Sequence, residues 1–233
     1  TTLKRGLNTD LQRPLFAIMD PELTYTLPRY QVGCGVVDIM MHTLERYLTP
    51  EGGESDLTDR IAEGLLIATR DAGRRAIADP RDYEARATLM WAGSVSHNDY
   101  TGCGRKRPVH KLEHELSAFR DEIAHGAGLS VLFPAWAEHE MQYDYPRFAQ
   151  FANRVLGVEM DFEHPERTAR EGIRTLRRFF EEIGMPTHLS QLSIKPENYE
   201  KLAANTVRTV NGPVKSYSPL DEKAIIEIYR LAE

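Results

Sequence analysis

The chain has 233 residues, 41% of them hydrophobic and 27% charged, with a formal net charge of −6. That balance supports a substantial core and excludes a disordered chain. The acidic charge speaks against a nucleic acid or an anionic membrane as partner, since the only basic run, Arg105, Lys106 and Arg107, reads as a short solvated turn.

No apolar stretch approaches the length of a membrane span. The two cysteines, Cys34 and Cys103, are too far apart and too few for a disulfide framework or a CxxC metal signature, so reduced thiols in a cytoplasmic protein are expected.

In chain order, "PLFAIMD" (residues 14–20) reads as a strand closed by Asp20 and Pro21, and "TYTLP" (24–28) extends it toward a proline stop. Residues 31–48 follow as a helix, with Val36, Val37, Met40, Met41, Leu44 and Leu48 at spacings of three and four and the breaker "TPEGG" behind them. A second helix spans 56–78, with Ser55 or Asp56 as N-cap, and a third spans 81–98 before "TGCG". The apolar stretch "GLSVLFPAWAEHEM" runs from Gly128 as another helix that Pro134 should kink or end. Helices at 145–156, 165–183 and 221–232 complete the array.

The fold class expected is therefore all-α, a multi-helix domain with one short N-terminal strand. A single strand leaves its backbone donors and acceptors without a ladder. Residues 1–28 are accordingly read as strand and connector from an N-terminal domain absent from this chain, and 29–233 as the helical domain.

Three of the eight histidines fall in "HKLEHELSAFRDEIAHG". Asp38 and His42 stand four apart in a helical segment and so share a face; His110 and His114 repeat the spacing, and His125 precedes the glycine at the start of the next helix. A buried Asp–His hydrogen bond would account for the first pair alone. One Asp and several His from three segments instead suit a divalent transition metal such as iron, zinc or cobalt, whereas calcium or magnesium would want more oxygens.

The segments "GCGVVDIMMHTLERYLTP" and "HKLEHELSAFRDEIAHGAGLSVLFPAW" resemble the two metal-binding motifs of iron-containing alcohol dehydrogenases, in particular the NADPH-dependent butanol dehydrogenase or broad aldehyde reductase branch. "FAIMDPELTYTLP", "MWAGSVSHNDYTGCG" and "IGMPTHLS" resemble the same branch in the same order, so the likeness covers nearly the whole chain. The resemblance implies that Asp38, His42, His110 and His125 are metal ligands, while His114 matches a site histidine outside that set. Two departures stand out: the interval from His110 to His125 is one residue longer than the family pattern, and "GRKRPVH" replaces the usual Asp-Trp-Ala-Thr-His approach. His114 therefore stays open as the alternative third imidazole.

The resemblance further implies reversible hydride transfer between a primary alcohol or aldehyde and NADP(H) or NAD(H), one divalent metal (Fe2+, with Zn2+ as the other candidate), and a homodimer. His114 is the residue expected to relay a proton, its ordinary pKa of about 6.5 being near working pH. No Gly-rich turn after a strand occurs in these residues, and the resemblance implies that the nicotinamide cofactor is held by an N-terminal dinucleotide-binding α/β domain absent from this chain.

Two rival classes share the same residues. A metal-dependent hydrolase would activate water at such a site, and a non-catalytic helical fragment would merely keep the metal pocket. A ferritin-like di-iron bundle is disfavoured, because Glu122 and His125 form the only Glu-x-x-His pair. Of the remaining histidines, His97 reads either as lining the cleft or as a helix C-terminal residue, and His139, His164 and His188 as surface or structural. Trp91 and Trp136 read as core.

Overall fold

A computed structural model describes residues 9–49, 56–102 and 108–233. Among them are nine α-helices and no strand: α1 (Arg29–Tyr47), α2 (Asp56–Ala78), α3 (Tyr83–His97), α4 (Pro108–Phe119), α5 (His125–Glu140), α6 (Tyr145–Leu156), α7 (Pro165–Glu182), α8 (Tyr199–Val210) and α9 (Glu222–Leu231). Ser55, Cys103 and the basic trio at 105–107 lie outside the described residues.

The order is built on α5. Its residues from Gly126 to Ala137 are all buried, and it packs against α1, α4, α7 and α9. A helix apolar on every side has nowhere to go but the centre. Of the two outcomes the sequence allowed, Pro134 does not end the helix, which runs on to Glu140. A proline costs a helix interior about 3 kcal/mol. Its neighbours Phe133 and Trp136 are fully buried, and each contributes roughly 1.5–3 kcal/mol of burial, which offsets that cost.

The sequence also misplaced the first segment. Residues 14–20 form no strand; they run without regular structure, with Leu15 and Phe16 102% and 76% exposed, and Pro21–Thr24 is a short 3-10 helix. A strand exists only through a ladder, and no described residue offers one. Conversely, α8 forms where no element was expected. Thr206, Val207, Thr209 and Val210 crowd its last turn with β-branched residues, which lowers helix propensity. Packing on α9 and α4 outweighs that bias, with Leu202 and Ala203 fully buried.

Local chemistry marks the other ends. Asp82 caps α3 by accepting from the Ala85 N–H at 3.0 Å, and Asp221 caps α9 by accepting from Ala224 at 2.9 Å. The helix α6 stops at Gly157, whose φ of 74° is left-handed. Arg147 of α6 donates to Asp59 of α2 at 2.7 Å and to the Tyr47 carbonyl of α1 at 2.9 Å, while its guanidinium lies 3.9 Å from the Tyr47 ring centroid. One side chain thereby ties three helices together. Trp136 is core, as expected, but Trp91 is 62% exposed on α3. Helical spacing alone does not say which side of α3 is covered.

Glu140, fully buried at the end of α5, accepts from Ser216 Oγ at 2.6 Å and Ser218 N at 3.1 Å and pairs with His139 Nδ1 at 2.8 Å. Burial pushes the Glu140 carboxyl up, but the His139 imidazole and the two serines bring it below its ordinary value. The same hydrogen bond, against burial, raises His139. The Glu140 contribution to stability is present above the ordinary carboxylate range and fades as pH falls. The His139 contribution is complete below about pH 6.5 and is lost as pH rises through its raised pKa. His139→Gln should therefore flatten the decline of melting temperature above neutrality. Parallel wild-type and variant slopes from pH 6 to 9 would refute this assignment.

Candidate metal centre

Three helices meet where the sequence concentrates its histidines: α1 brings Asp38 and His42, α4 brings His110 and His114, and α5 begins at His125. Asp38 is the pivot. Its Oδ1 is buried and lies 3.5 Å from His42 Nε2, 3.6 Å from His110 Nε2 and 3.6 Å from His125 Nε2.

Those separations carry information. They exceed the 2.7–3.2 Å of a hydrogen bond. Two ligand atoms each about 2.1 Å from one ion at a tetrahedral angle stand roughly 3.4 Å apart. The donor set, one carboxylate oxygen and three imidazole nitrogens, suits a transition metal by its chemistry. Asp38, His110 and His125 fit one such ion, their ligand atoms all lying within 4.8 Å of one another, and His42 approaches the same carboxylate oxygen.

Burial pushes the Asp38 carboxyl up, yet the His110 imidazole facing it, with His42 and His125, pulls it down to about 2. It stays ionised throughout the neutral range, as a ligand must.

Two acids complete the surroundings, and sequence reasoning missed both. Glu45 and Glu113 are fully buried. Glu45 Oε1 holds His110 Nδ1, and Glu113 Oε2 holds His125 Nδ1. Glu45 Oε2 also accepts the Val109 and His110 backbone N–H groups at 2.7 and 3.3 Å, capping first-turn donors of α4 that have no partner within the helix. Ser117 Oγ donates to Glu113 Oε1. Each acid stands three residues after a histidine of the set, His42 to Glu45 and His110 to Glu113, which was the available signal.

His114 sits outside the convergence on Asp38. Its ring centroid is 5.5 Å from that of His125 and 6.4 Å from that of His110, and its ligand atoms group with Glu113 and His125 instead. The turn at 120–124 separates α4 from α5, so a one-residue length difference there leaves both helical registers unchanged. His97, exposed at the end of α3, lies tilted against His42 with ring centroids 3.7 Å apart and so borders the centre. His139 and His188 lie elsewhere, paired with Glu140 and Thr187.

Two glycines set the spacing of the helices. A Cβ on Gly126 would come within 2.2 Å of the Cys34 carbonyl oxygen and 2.6 Å of its Cα, so α1 and α5 touch backbone to backbone next to His125. A Cβ on Gly128 would meet Glu113 Cγ at 2.7 Å.

Comparison with known proteins adds to this geometry. The sequence model described as "Fe-containing alcohol dehydrogenase family, C-terminal" matches residues 33–232. The chain is 36% identical over 233 residues to NADH-dependent butanol dehydrogenase A of Clostridium acetobutylicum, covering 99% of this chain and 59% of that protein. The solved structure of NADH-dependent butanol dehydrogenase A from Thermotoga maritima superposes with a TM-score of 0.84 at 32% identity, over 91% of this chain and 55% of that one. The aldehyde reductase YqhD from E. coli superposes at 0.88 with 30% identity, over 95% and 58%. The chain thus spans rather less than two thirds of the proteins it matches.

Proposed function

We propose a function from one premise: the chain belongs to the Fe-containing alcohol dehydrogenase family, matching its C-terminal part. It is the metal-binding, substrate-activating half of an NAD(P)-dependent enzyme that interconverts primary alcohols and aldehydes. The observation that carries this is the placing of three imidazole nitrogens 3.5–3.6 Å from one buried carboxylate oxygen.

In this reading Asp38, His42, His110 and His125 hold one divalent ion, Fe2+ before Zn2+. The ion supplies Lewis-acid polarisation of a substrate oxygen, which eases hydride transfer to or from the adjacent carbon. The protein's part is to hold the four donors on three helices that cannot drift apart. His114, at the edge of the same cluster, exchanges a proton between its ring nitrogen and the substrate oxygen by way of solvent. The nicotinamide cofactor, NADP(H) or NAD(H), is bound by a separate α/β domain preceding residue 29. The same reading assigns the enzyme to the cytoplasm as a homodimer.

Incubating the protein that carries both domains with NADH or NADPH and butanal tests this. Aldehyde-dependent loss of reduced-nicotinamide absorbance is expected, while a hydrolase or a non-catalytic fragment would leave it unchanged. His114→Ala should lower turnover roughly 10²-fold at unchanged metal content, the low end of what a positioned proton-transfer group contributes. Full activity in that variant would remove the relay.

A further inference from the structure

We propose that Glu45 and Glu113 are positioning residues for the metal centre, each fixing the tautomer and orientation of one histidine so that its Nε2 faces Asp38. The inference rests on the metal reading above and extends it to two residues outside the ligand set.

The geometry points the same way at both positions. Each carboxylate is fully buried and each takes the Nδ1 of a different histidine. With Nδ1–H donated to a carboxylate, the lone pair of that ring is on Nε2, the nitrogen that stands 3.6 Å from Asp38 Oδ1 in both His110 and His125. The alternative tautomer would place two acceptors against each other at Nδ1.

Neither acid is loosely placed. Glu45 is anchored through its second oxygen to the first N–H groups of α4, which locks its carboxylate to the helix that carries His110. Glu113 is held by Ser117, and Gly128 leaves the space its side chain fills. Burying two carboxylates costs free energy unless each is matched by donors and nearby positive charge. The imidazoles supply the donors, and a divalent ion held by the ligand set would supply the charge.

The test is titration of this chain with Co2+ against a chromophoric chelator, for wild type, Glu45→Gln, Glu113→Gln and Glu113→Ala. Wild type should bind one ion. Each Gln variant keeps an acceptor of similar shape and should bind roughly 10-fold more weakly, and Glu113→Ala up to about 100-fold. The Co2+ ligand-field spectrum of Glu113→Ala should shift, and that of Glu113→Gln should remain close to wild type. Melting in the presence of EDTA reports folding separately. If Glu45→Gln fails to fold because Glu45 also caps α4, the Glu113 series decides.

Affinities and spectra equal to wild type in the Glu113 variants would overturn the proposal while leaving the metal reading intact. A wild-type chain that binds no ion would overturn both.

Discussion

Asp38→Asn should leave the helices folded and strip the protein of its metal. The side chain keeps its size but loses the charge on the one oxygen that stands within 3.6 Å of three histidine nitrogens. An amide oxygen is a far poorer ligand to a transition metal than a carboxylate, and removing even an outer partner of a ligand costs 10- to 100-fold in affinity. Loss of a ligand itself should exceed that range. With the Lewis acid gone, aldehyde reduction by the two-domain protein should fall by at least roughly 10³-fold, equivalent to about 4 kcal/mol of barrier. Metal analysis, circular dichroism and turnover on the same preparation make the measurement. Wild-type metal content and turnover in Asp38→Asn would end the proposed function.

Gly126→Ala should do its damage through the backbone. The new methyl would fall 2.2 Å from the Cys34 carbonyl oxygen and 2.6 Å from Cys34 Cα, and neither atom can swing aside as a flexible side chain would. The helices α1 and α5 must separate, and these are the elements that carry Asp38 and His125. Overpacking of this kind costs about 3 kcal/mol, which in a domain of this size is roughly 6–12 °C in melting temperature. The same separation widens the contact between His125 Nε2 and Asp38 Oδ1, so Co2+ affinity should drop more than tenfold, beyond what Glu113→Gln causes. Gly35→Ala is the control: its Cβ would meet nothing within 4 Å, so it should leave stability and metal binding near wild type. Equal melting temperatures for the two variants would show that α1 and α5 do not depend on that close approach.

Much of the helical frame was legible because period and punctuation agreed. The bounds of α2 and α6 coincide with the segments 56–78 and 145–156 read from the apolar repeat, and Asp221 caps α9 where the sequence placed its start. Failures came where local signals opposed the tertiary outcome. The apolar residues 14–20 look like a strand but have no ladder, and β-branched residues mask α8.

The histidine set itself was readable one helix at a time: i, i+4 spacing puts Asp38 with His42 and His110 with His114 whatever the rest of the chain does. Residue types and spacing therefore determined which chemistry the chain could support and the helical character of its scaffold. Spacing within a helix carries no information about which atom of a distant helix comes near. Only the packing of α1, α4 and α5, brought to backbone contact at Gly126, selected His110 over His114 beside Asp38 and turned Glu45 and Glu113 inward onto the imidazoles.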